Sequence, residues 1–223
     1  AMVQRVVLDS LVFQETDGSF SPWLAESWEV EDDGATYVFR LREGVTFHDG
    51  APFDAEAVKA NFDRIADPET ASAQAAAMLG GDLYVGTDVV DDRTVAVRFS
   101  QPYAPFLQAA STALLGFYSP TVLENSADQL KAGGPDVTVG TGPYVLSSYT
   151  PDQEIVYTAN EDYAWGPGGA GAPSIKTLRV EILPEASVRL GVLSSGEADV
   201  VTNLPPNLVA QVPADDTVNA IEY

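Results

Sequence analysis

The sequence predicts a mixed α/β fold of the α+β type. Residues 37–42 alternate between apolar and polar side chains, as in a half-buried strand, whereas residues 54–65 carry apolar side chains at helical spacing. The 18 Gly and 15 Pro residues favour a loop-rich mixed fold over a helical bundle. A chain of 223 residues can bury roughly 70% of its unfolded surface, so we expect a stable globular body.

The first predicted elements are a short helix and a strand. Residues 3–13 are apolar and predict a short helix that runs into a strand, and the Asp-Gly pair within residues 16–19 is typical of a tight reversal. A second turn at residues 32–34 precedes the clearest strand, residues 37–42. The side chains of this strand that should face a core are Tyr37, Phe39 and Leu41.

An amphipathic helix is predicted to begin after Asp54. Asp54 is a suitable N-cap, an acidic first turn follows it, and the Asp-Pro pair at residues 67–68 should end the helix. The apolar face should consist of Val58, Phe62 and Ile65.

The middle of the chain predicts a hairpin and a boundary. Residues 84–90 and 94–99 read as strands joined by a short connection, and a helix should follow near residues 104–110. The composition changes across residues 131–139, which we interpret as a candidate boundary between structural units.

Beyond this boundary the pattern changes. Residues 144–148 and 154–158 predict strands, and the glycine-rich residues 166–171 predict a loop too irregular to be structured by itself. A β-α-β unit should follow, made of strand 176–183, helix 185–194 closed by Gly196, and strand 199–202.

Charge and composition exclude several classes of protein. The 33 acidic and 11 basic residues give a formal charge of −22, which repels nucleic acid, so we expect no nucleic acid partner. With no Cys, disulfides and thiolate zinc sites are excluded. No run of about 18 apolar residues is present that would predict a membrane-spanning helix.

Catalytic and metal-binding patterns are equally sparse. His48 is the only histidine, and we interpret it as a turn residue bonded to the backbone or to Asp49. No nucleophile elbow, phosphate loop or dinucleotide fingerprint occurs. Paired carboxylates lie in predicted turns, which explains them without acid–base catalysis. We therefore expect no enzyme activity, no metal site and no cofactor.

Five segments in a fixed order share the pattern of one protein family. They are residues 21–28 (SPWLAESW) with 36–45 (TYVFRLREGV), 47–55 (FHDGAPFDA), 141–144 (TGPY), 160–165 (NEDYAW) and 195–199 (SGEAD). The sequence resembles the peptide/nickel-type extracellular solute-binding proteins, family 5, which include the oligopeptide- and dipeptide-binding components of ABC importers.

The resemblance implies a periplasmic-binding-protein-like fold with two lobes around a cleft. The chain would be the first lobe with an inserted subdomain, starting after the family's first strand and stopping at a hinge, so that the second lobe is absent. Residues 1–12 would begin the base subdomain, residues 13–139 would form the inserted subdomain, and residues 140–223 would complete the base.

The resemblance also implies a function. The protein would be the substrate-binding component of an ABC importer, capturing extracellular peptides or similar solutes and delivering them to the membrane permease. It would be an extracellular or periplasmic monomer, anchored to the membrane only through a lipid group outside this chain.

Ligand contacts carried over from relatives fall on five residues. The strand after the Gly-Glu-Ala-Asp turn points to Thr202 and Asn203, although Asn203 could instead cap the turn before residues 204–206. Gln74 stands where relatives have an aromatic residue, which suggests a different solute or a larger pocket, or merely an exposed helical Gln. Phe117 and Tyr118 could line the cleft or pack between subdomains.

Two other classes of function stay open at this point. A carboxylate-based hydrolase would need two carboxyl groups within roughly 10 Å, one of them with a raised pKa. A sensor domain of the same fold would bind its solute without transport. Trp23 and Trp28 are interpreted as core residues rather than as ligand platforms.

Overall fold

The described part of the chain comprises residues 2–70, 72–125 and 127–212 of a computed structural model. Its helices are α1 (Met2–Arg5), α2 (Ala55–Ala66), α3 (Ala73–Leu79), α4 (Phe106–Ala109), α5 (Pro120–Leu123), α6 (Ala127–Ala132), α7 (Ala186–Ser194) and α8 (Pro206–Val209). Its strands are β1 (Val12–Gln14), β2 (Phe20–Pro22), β3 (Ala25–Glu31), β4 (Thr36–Leu41), β5 (Tyr84–Asp91), β6 (Thr94–Phe99), β7 (Tyr144–Thr150), β8 (Glu154–Ala159) and β9 (Thr177–Glu181). The mixture confirms the predicted α+β class.

A four-stranded antiparallel sheet, in the order β3-β4-β6-β5, forms the main layer. Phe39 of β4 lies opposite Trp28 of β3 and Val95 of β6. Because side chains of a strand point alternately to the two faces, Tyr37, Phe39 and Leu41 are buried while Arg40 is exposed. The predicted strand and its predicted core face are therefore confirmed.

Helix α2 begins and ends as the sequence predicts. The Asp54 carboxylate accepts a hydrogen bond from the Ala57 N–H at 2.8 Å, which satisfies one of the free donors of the first turn. Pro68 cannot continue the helix, so α2 ends at Ala66. Val58 and Phe62 are fully buried, whereas Ile65 is only partly buried.

An aromatic cluster fills the core of this part of the molecule. The ring centroid of Phe106 lies 5.0 Å from that of Phe99 and 6.3 Å from that of Phe62, and the Phe53 and Phe117 centroids are 5.1 Å apart. Burying each such side chain contributes roughly 1.5–3 kcal/mol. The cluster thereby fixes α2 and α4, together with the segment around Phe117.

The chain divides into two compact units, residues 1–149 with 155–179 and residues 150–154 with 180–223. The first unit holds the main sheet, the aromatic cluster and α1–α6, and the second holds α7 and α8. The subdomain boundaries expected after residues 12 and 139 stay predictions. Among the described residues, no helix is long and apolar enough to cross a lipid bilayer.

Three sequence predictions need correction. Residues 199–202 form no strand, so the predicted β-α-β unit is wrong; a strand needs a paired neighbour, no sheet of the described residues reaches this segment, and Val200 is 77% exposed. The glycine-rich loop contains a 3-10 turn at Pro167–Gly169, which the Gly166 N–H closes by donating to the Ala170 carbonyl at 2.9 Å. The helix expected near residues 104–110 is shorter than predicted: α4 comprises only Phe106–Ala109, with Pro105 as its N-cap.

Candidate ligand-binding site

A cavity of about 330 Å³ lies in the first unit, between α2, α3, α6 and residues 113–118. This volume is within the range of small-molecule sites in proteins. Its larger apolar side chains are Ile65, Leu114, Leu123 and Leu130. Its polar and charged side chains include Asn61, Arg64, Ser72, Tyr118 and Lys131.

Asn61 fixes the position of Tyr118 in the cavity wall. The Asn61 side chain accepts a hydrogen bond from the Tyr118 N–H at 2.9 Å and donates one to the Tyr118 carbonyl at 2.8 Å. A further bond from its amide to the Ala57 carbonyl, at 2.9 Å, ties the side chain to α2. Burial raises the pKa of the Tyr118 hydroxyl, so this group remains a neutral donor and acceptor at ordinary pH.

Arg5 and Ser10 hold the segment that leads into the cavity wall. The Arg5 guanidinium donates to the Ser111 carbonyl and, at 2.7 Å, to the Ser10 hydroxyl, which in turn donates to the Thr112 carbonyl at 2.9 Å. The guanidinium also lies 4.5 Å from the ring centroid of Trp23, a cation–π distance. The backbone just before Ala113 is therefore anchored from the amino-terminal end of the chain.

A buried carboxyl group, Asp9, lies beside this anchor. The Trp165 indole N–H donates to it at 3.0 Å and the Thr141 hydroxyl at 3.1 Å, while the Tyr163 hydroxyl is 3.5 Å away. Burial raises the pKa of Asp9 to about 7, although these hydrogen bonds and the charge of Arg5 oppose the shift. Asp9 is fully buried and does not line the cavity.

His48 joins its turn to the backbone of residues 140–142. Its Nε2 lies 2.9 Å from the Gly142 carbonyl, and the Gly140 N–H lies 3.4 Å from its Nδ1. This pattern indicates the neutral tautomer with the proton on Nε2, and burial lowers the pKa of the imidazole accordingly. The interpretation of His48 as a turn histidine bonded to the backbone is thus confirmed.

The two neighbouring residues that were predicted as ligand contacts, Phe117 and Tyr118, lie in different surroundings. Tyr118 lines the cavity, whereas Phe117 is 0% exposed and packs against Phe53 and Phe62. The two neighbouring side chains therefore have different surroundings, and of the pair only Tyr118 lines the cavity. Burial argues against a ligand contact for Phe117, and the packing alternative accounts for it.

Gln74 lies on α3 outside this cavity. It is exposed and borders a second, more open depression of about 340 Å³, together with Met78, Tyr103 and Gln108. Its neighbour Ala75 lines the first cavity instead. The structure therefore does not bring Gln74 and Tyr118 into one cavity.

Thr202 and Asn203 are adjacent and exposed in the second unit. Asn203 has a φ of +58°, a left-handed conformation that Asn tolerates in turns, and its carbonyl accepts a hydrogen bond from Arg189 at 2.9 Å. The backbone of Asn203 therefore has the turn role that the sequence left open, while its side chain is accessible to solvent.

Sequence reasoning missed Asn61, Arg64 and Lys131. Asn61 carried a usable signal, since it lies at helical spacing between Val58 and Ile65 on the face that should be apolar. A polar residue on a buried helix face has to find hydrogen-bond partners, and here the partners position the cavity wall. Within the described residues, no group of three or more His, Cys, Asp or Glu side chains could hold a metal ion.

The comparisons with known proteins agree on one family. The family model for bacterial extracellular solute-binding proteins, family 5 Middle, matches residues 19–223. The probable D,D-dipeptide-binding periplasmic protein DdpA of Escherichia coli (strain K12) is 34% identical over 201 residues, covering 90% of this chain and 37% of the relative. Heme-binding protein A of Haemophilus influenzae is 32% identical over 242 residues, covering 100% of this chain and 42% of the relative.

A solved structure shows the same fold. NikA from Brucella suis, in complex with Fe(III)-EDTA, matches with a TM-score of 0.73 at 34% identity, over 88% of this chain and 38% of that chain. This likeness confirms the predicted periplasmic-binding-protein-like fold, and the chain spans less than half the length of each of these relatives. Because the family model covers most of its residues, the chain belongs to family 5 of the bacterial extracellular solute-binding proteins.

Proposed function

We propose that this chain belongs to the substrate-binding component of an ABC importer that captures extracellular peptides and delivers them to the membrane permease. The observation that carries the proposal is the cavity at Tyr118, whose wall combines four leucine or isoleucine side chains with a few fixed polar groups. Such a wall suits reversible binding of a small solute, since apolar surface supplies affinity and placed polar groups supply orientation.

The chemistry of the buried groups supports binding rather than catalysis. Both ring nitrogens of His48 are engaged by backbone groups, so this histidine is not available as a general base. Asp9 has the raised pKa that a carboxylate-based hydrolase needs, yet it is fully buried beneath Trp165 and has no access to the cavity. We therefore propose that the bound solute leaves unchanged.

Relatives indicate which solutes to test. Two of the relatives are named for the binding of D,D-dipeptides and of heme, and the NikA structure contains Fe(III)-EDTA, so the family alone does not fix the solute. Peptides are our first choice because Tyr118 offers an aromatic surface and a hydroxyl in the cavity wall, and Asn61, Ser72 and Arg64 add polar groups to the same wall. Gln74, Thr202 and Asn203 stay proposed contacts outside this cavity.

The remaining parts of the proposal concern partners and location. We expect a periplasmic or extracellular protein that meets its permease after binding the solute and is held at the membrane through a lipid anchor outside this chain. We expect it to act as a monomer, since a formal charge of −22 opposes self-association.

A thermal-shift screen tests the proposal. The protein, in the full length that its gene encodes, is heated with di- to oligopeptides, sugars, heme and metal chelates, because a solute that binds only the native state raises the melting temperature. We expect a rise with peptides that is weakened by Tyr118→Ala and Asn203→Ala.

The exposed Val85 on β5 provides the control, since its replacement by Ala should leave the shift unchanged. A rise with only a sugar, heme or a chelate would keep the binding role and reject peptides. Conversion of any of these compounds by the protein would reject the binding role itself.

A further inference from the structure

Two cationic side chains line the cavity and form no ion pair with a carboxylate among the described residues. Arg64, in the last turn of α2, and Lys131, in the last turn of α6, both line it. Among the described residues that line the cavity none is Asp or Glu, although the chain has 33 acidic residues. This local balance of charge is the reverse of that of the whole protein.

Several other cations of the chain do have carboxylate partners. Lys59 and Lys176, the other two lysines, pair with Asp63 at 2.5 Å and Glu161 at 2.9 Å. Arg98 likewise pairs with Asp88 at 2.6 Å. In the part of the chain that the structure describes, neither Arg64 nor Lys131 forms an ion pair. Arg5, Arg42 and Arg189 likewise form no ion pair among the described residues, and their guanidinium groups donate to backbone carbonyls instead. The feature specific to the cavity is that its described wall holds two cations and no carboxylate.

The position of Arg64 leaves it able to bind a solute. Its Nη1 donates a long hydrogen bond of 3.3 Å to the carbonyl of Leu123, which also lines the cavity. A guanidinium has five N–H donors in a planar fork, which matches the two oxygens of a carboxylate. Lys131 adds a mobile ammonium from a second helix, and the Ser72 hydroxyl lines the same cavity.

We propose that Arg64 and Lys131 select solutes that carry a carboxylate group, such as the free carboxyl end of a short peptide. This inference rests on the proposed solute-binding function and names the chemical class that the cavity accepts. The carboxylate would lie between the two cations, while Leu114, Leu123 and Leu130 cover the apolar remainder of the solute. The acidic surface elsewhere would disfavour anions, so selection would depend on these two side chains.

Paired probes test the inference on the full-length protein by isothermal titration calorimetry. The first pair is the dipeptide Ala-Leu and its amide. The second pair is succinate and succinamide, which are not peptides. We expect each acid to bind at least about tenfold more tightly than its amide, the ratio typical of one charge-assisted hydrogen bond. Arg64→Gln and Lys131→Gln should each remove most of this preference.

Lys176→Gln and Arg98→Gln are the matched controls. Each removes one positive charge from an ion pair outside the cavity, so each changes the net charge as the test variants do. Unchanged binding in these controls, together with lost preference in the cavity variants, would assign the effect to the cavity. Lys131 is exposed, so its variant tests binding without a risk to folding.

The outcomes separate this inference from the proposed function. Binding of succinate but of neither peptide would support carboxylate selection and reject peptides as solutes. Equal binding of Ala-Leu and its amide would support a peptide binder and overturn the carboxylate inference, as would unchanged preference in both cavity variants. Absence of binding by all four probes would overturn it as well.

Discussion

Asn61 and Tyr118 are joined by a pair of hydrogen bonds in which one side chain satisfies both backbone groups of the other residue, at 2.8 and 2.9 Å. Asn61 is 3% exposed and lies on the buried face of α2. A polar side chain in that position is destabilising unless it is fully hydrogen-bonded. Its three hydrogen bonds therefore connect the cavity wall at Tyr118 to the buried face of α2.

Asn61→Ala should destabilise the protein and loosen Tyr118. Removing the amide leaves the Tyr118 N–H and carbonyl without their partner, at a cost of about 1–3 kcal/mol for each buried group. Urea denaturation should show the loss, and solute binding should weaken in the same variant. Asn207→Ala, at an exposed position of α8, is the control. Equal stability of the two variants would show that the Asn61 bonds contribute nothing.

Asp9→Asn should remove a pH dependence of stability. Burial raises the pKa of Asp9 in the folded state to about 7 from the ordinary value of 3.8, so the folded protein binds a proton more tightly than the unfolded chain. The resulting stabilisation is fully present below the unfolded pKa and is lost as the pH rises through about 7. Between pH 5 and 8 we expect a loss on the order of 2 kcal/mol.

The measurement compares the free energy of unfolding of both proteins at several pH values. The other carboxylates titrate alike in the two proteins, so the difference isolates Asp9. Asn keeps an acceptor for the Trp165 indole and the Thr141 hydroxyl, which preserves the local packing. Parallel curves for the two proteins between pH 5 and 8 would contradict the raised pKa.

Local patterns predicted the parts of the fold that local physics determines. Strand β4 and helix α2 follow from the periodicity of Tyr37–Leu41 and of Val58–Phe62, because one face of each element has to be buried. The strand expected at residues 199–202 failed because strand formation depends on a partner, which periodicity does not reveal.

The cavity depended on contacts distant in sequence. Tyr118 and Asn61 are 57 residues apart, and Arg5 reaches the Ser111 carbonyl across 106 residues. The sequence pattern marked Tyr118 as a candidate but gave no means to distinguish it from Phe117. Burial made this distinction, since Phe117 completes the aromatic cluster.

Arg189→Lys should loosen the turn that presents Thr202 and Asn203. The guanidinium donates to the carbonyls of Leu183 at 2.5 Å, Pro184 at 2.7 Å and Asn203 at 2.9 Å. A lysine ammonium keeps the charge but lacks the planar fork that reaches all three. Hydrogen exchange followed by mass spectrometry should be about tenfold faster at residues 198–205, the effect of about 1.4 kcal/mol.

Arg98→Lys, at an exposed ion pair of the main sheet, is the control for this change. Peptide binding should weaken in Arg189→Lys if Asn203 contacts the solute. Unchanged exchange at residues 198–205 would mean that the three hydrogen bonds do not hold the turn.

Gly116→Ala should disturb the cavity wall through a steric conflict. A Cβ at this position would lie 2.8 Å from Leu8 Cβ, 3.1 Å from the Ala113 carbonyl oxygen and 3.3 Å from the Asp9 carbonyl oxygen. None of these atoms is the free end of a flexible side chain, so the backbone has to move, at a cost of about 1–3 kcal/mol. We expect a lower melting temperature and weaker solute binding, since Gly116 itself lines the cavity.

Gly191→Ala is the matched control, because Gly191 lies in α7 and a Cβ there would meet nothing within 4 Å apart from the backbone of its own helix. Alanine is a better helix former than glycine, so this control should gain about 0.5–1 kcal/mol of stability. Opposite signs for the two substitutions would show that the close approach of Gly116 to Leu8 requires a glycine at this position of the cavity wall. A Gly116→Ala protein with unchanged melting temperature and affinity would show instead that the wall adjusts without cost, and that the cavity is not sensitive to its backbone.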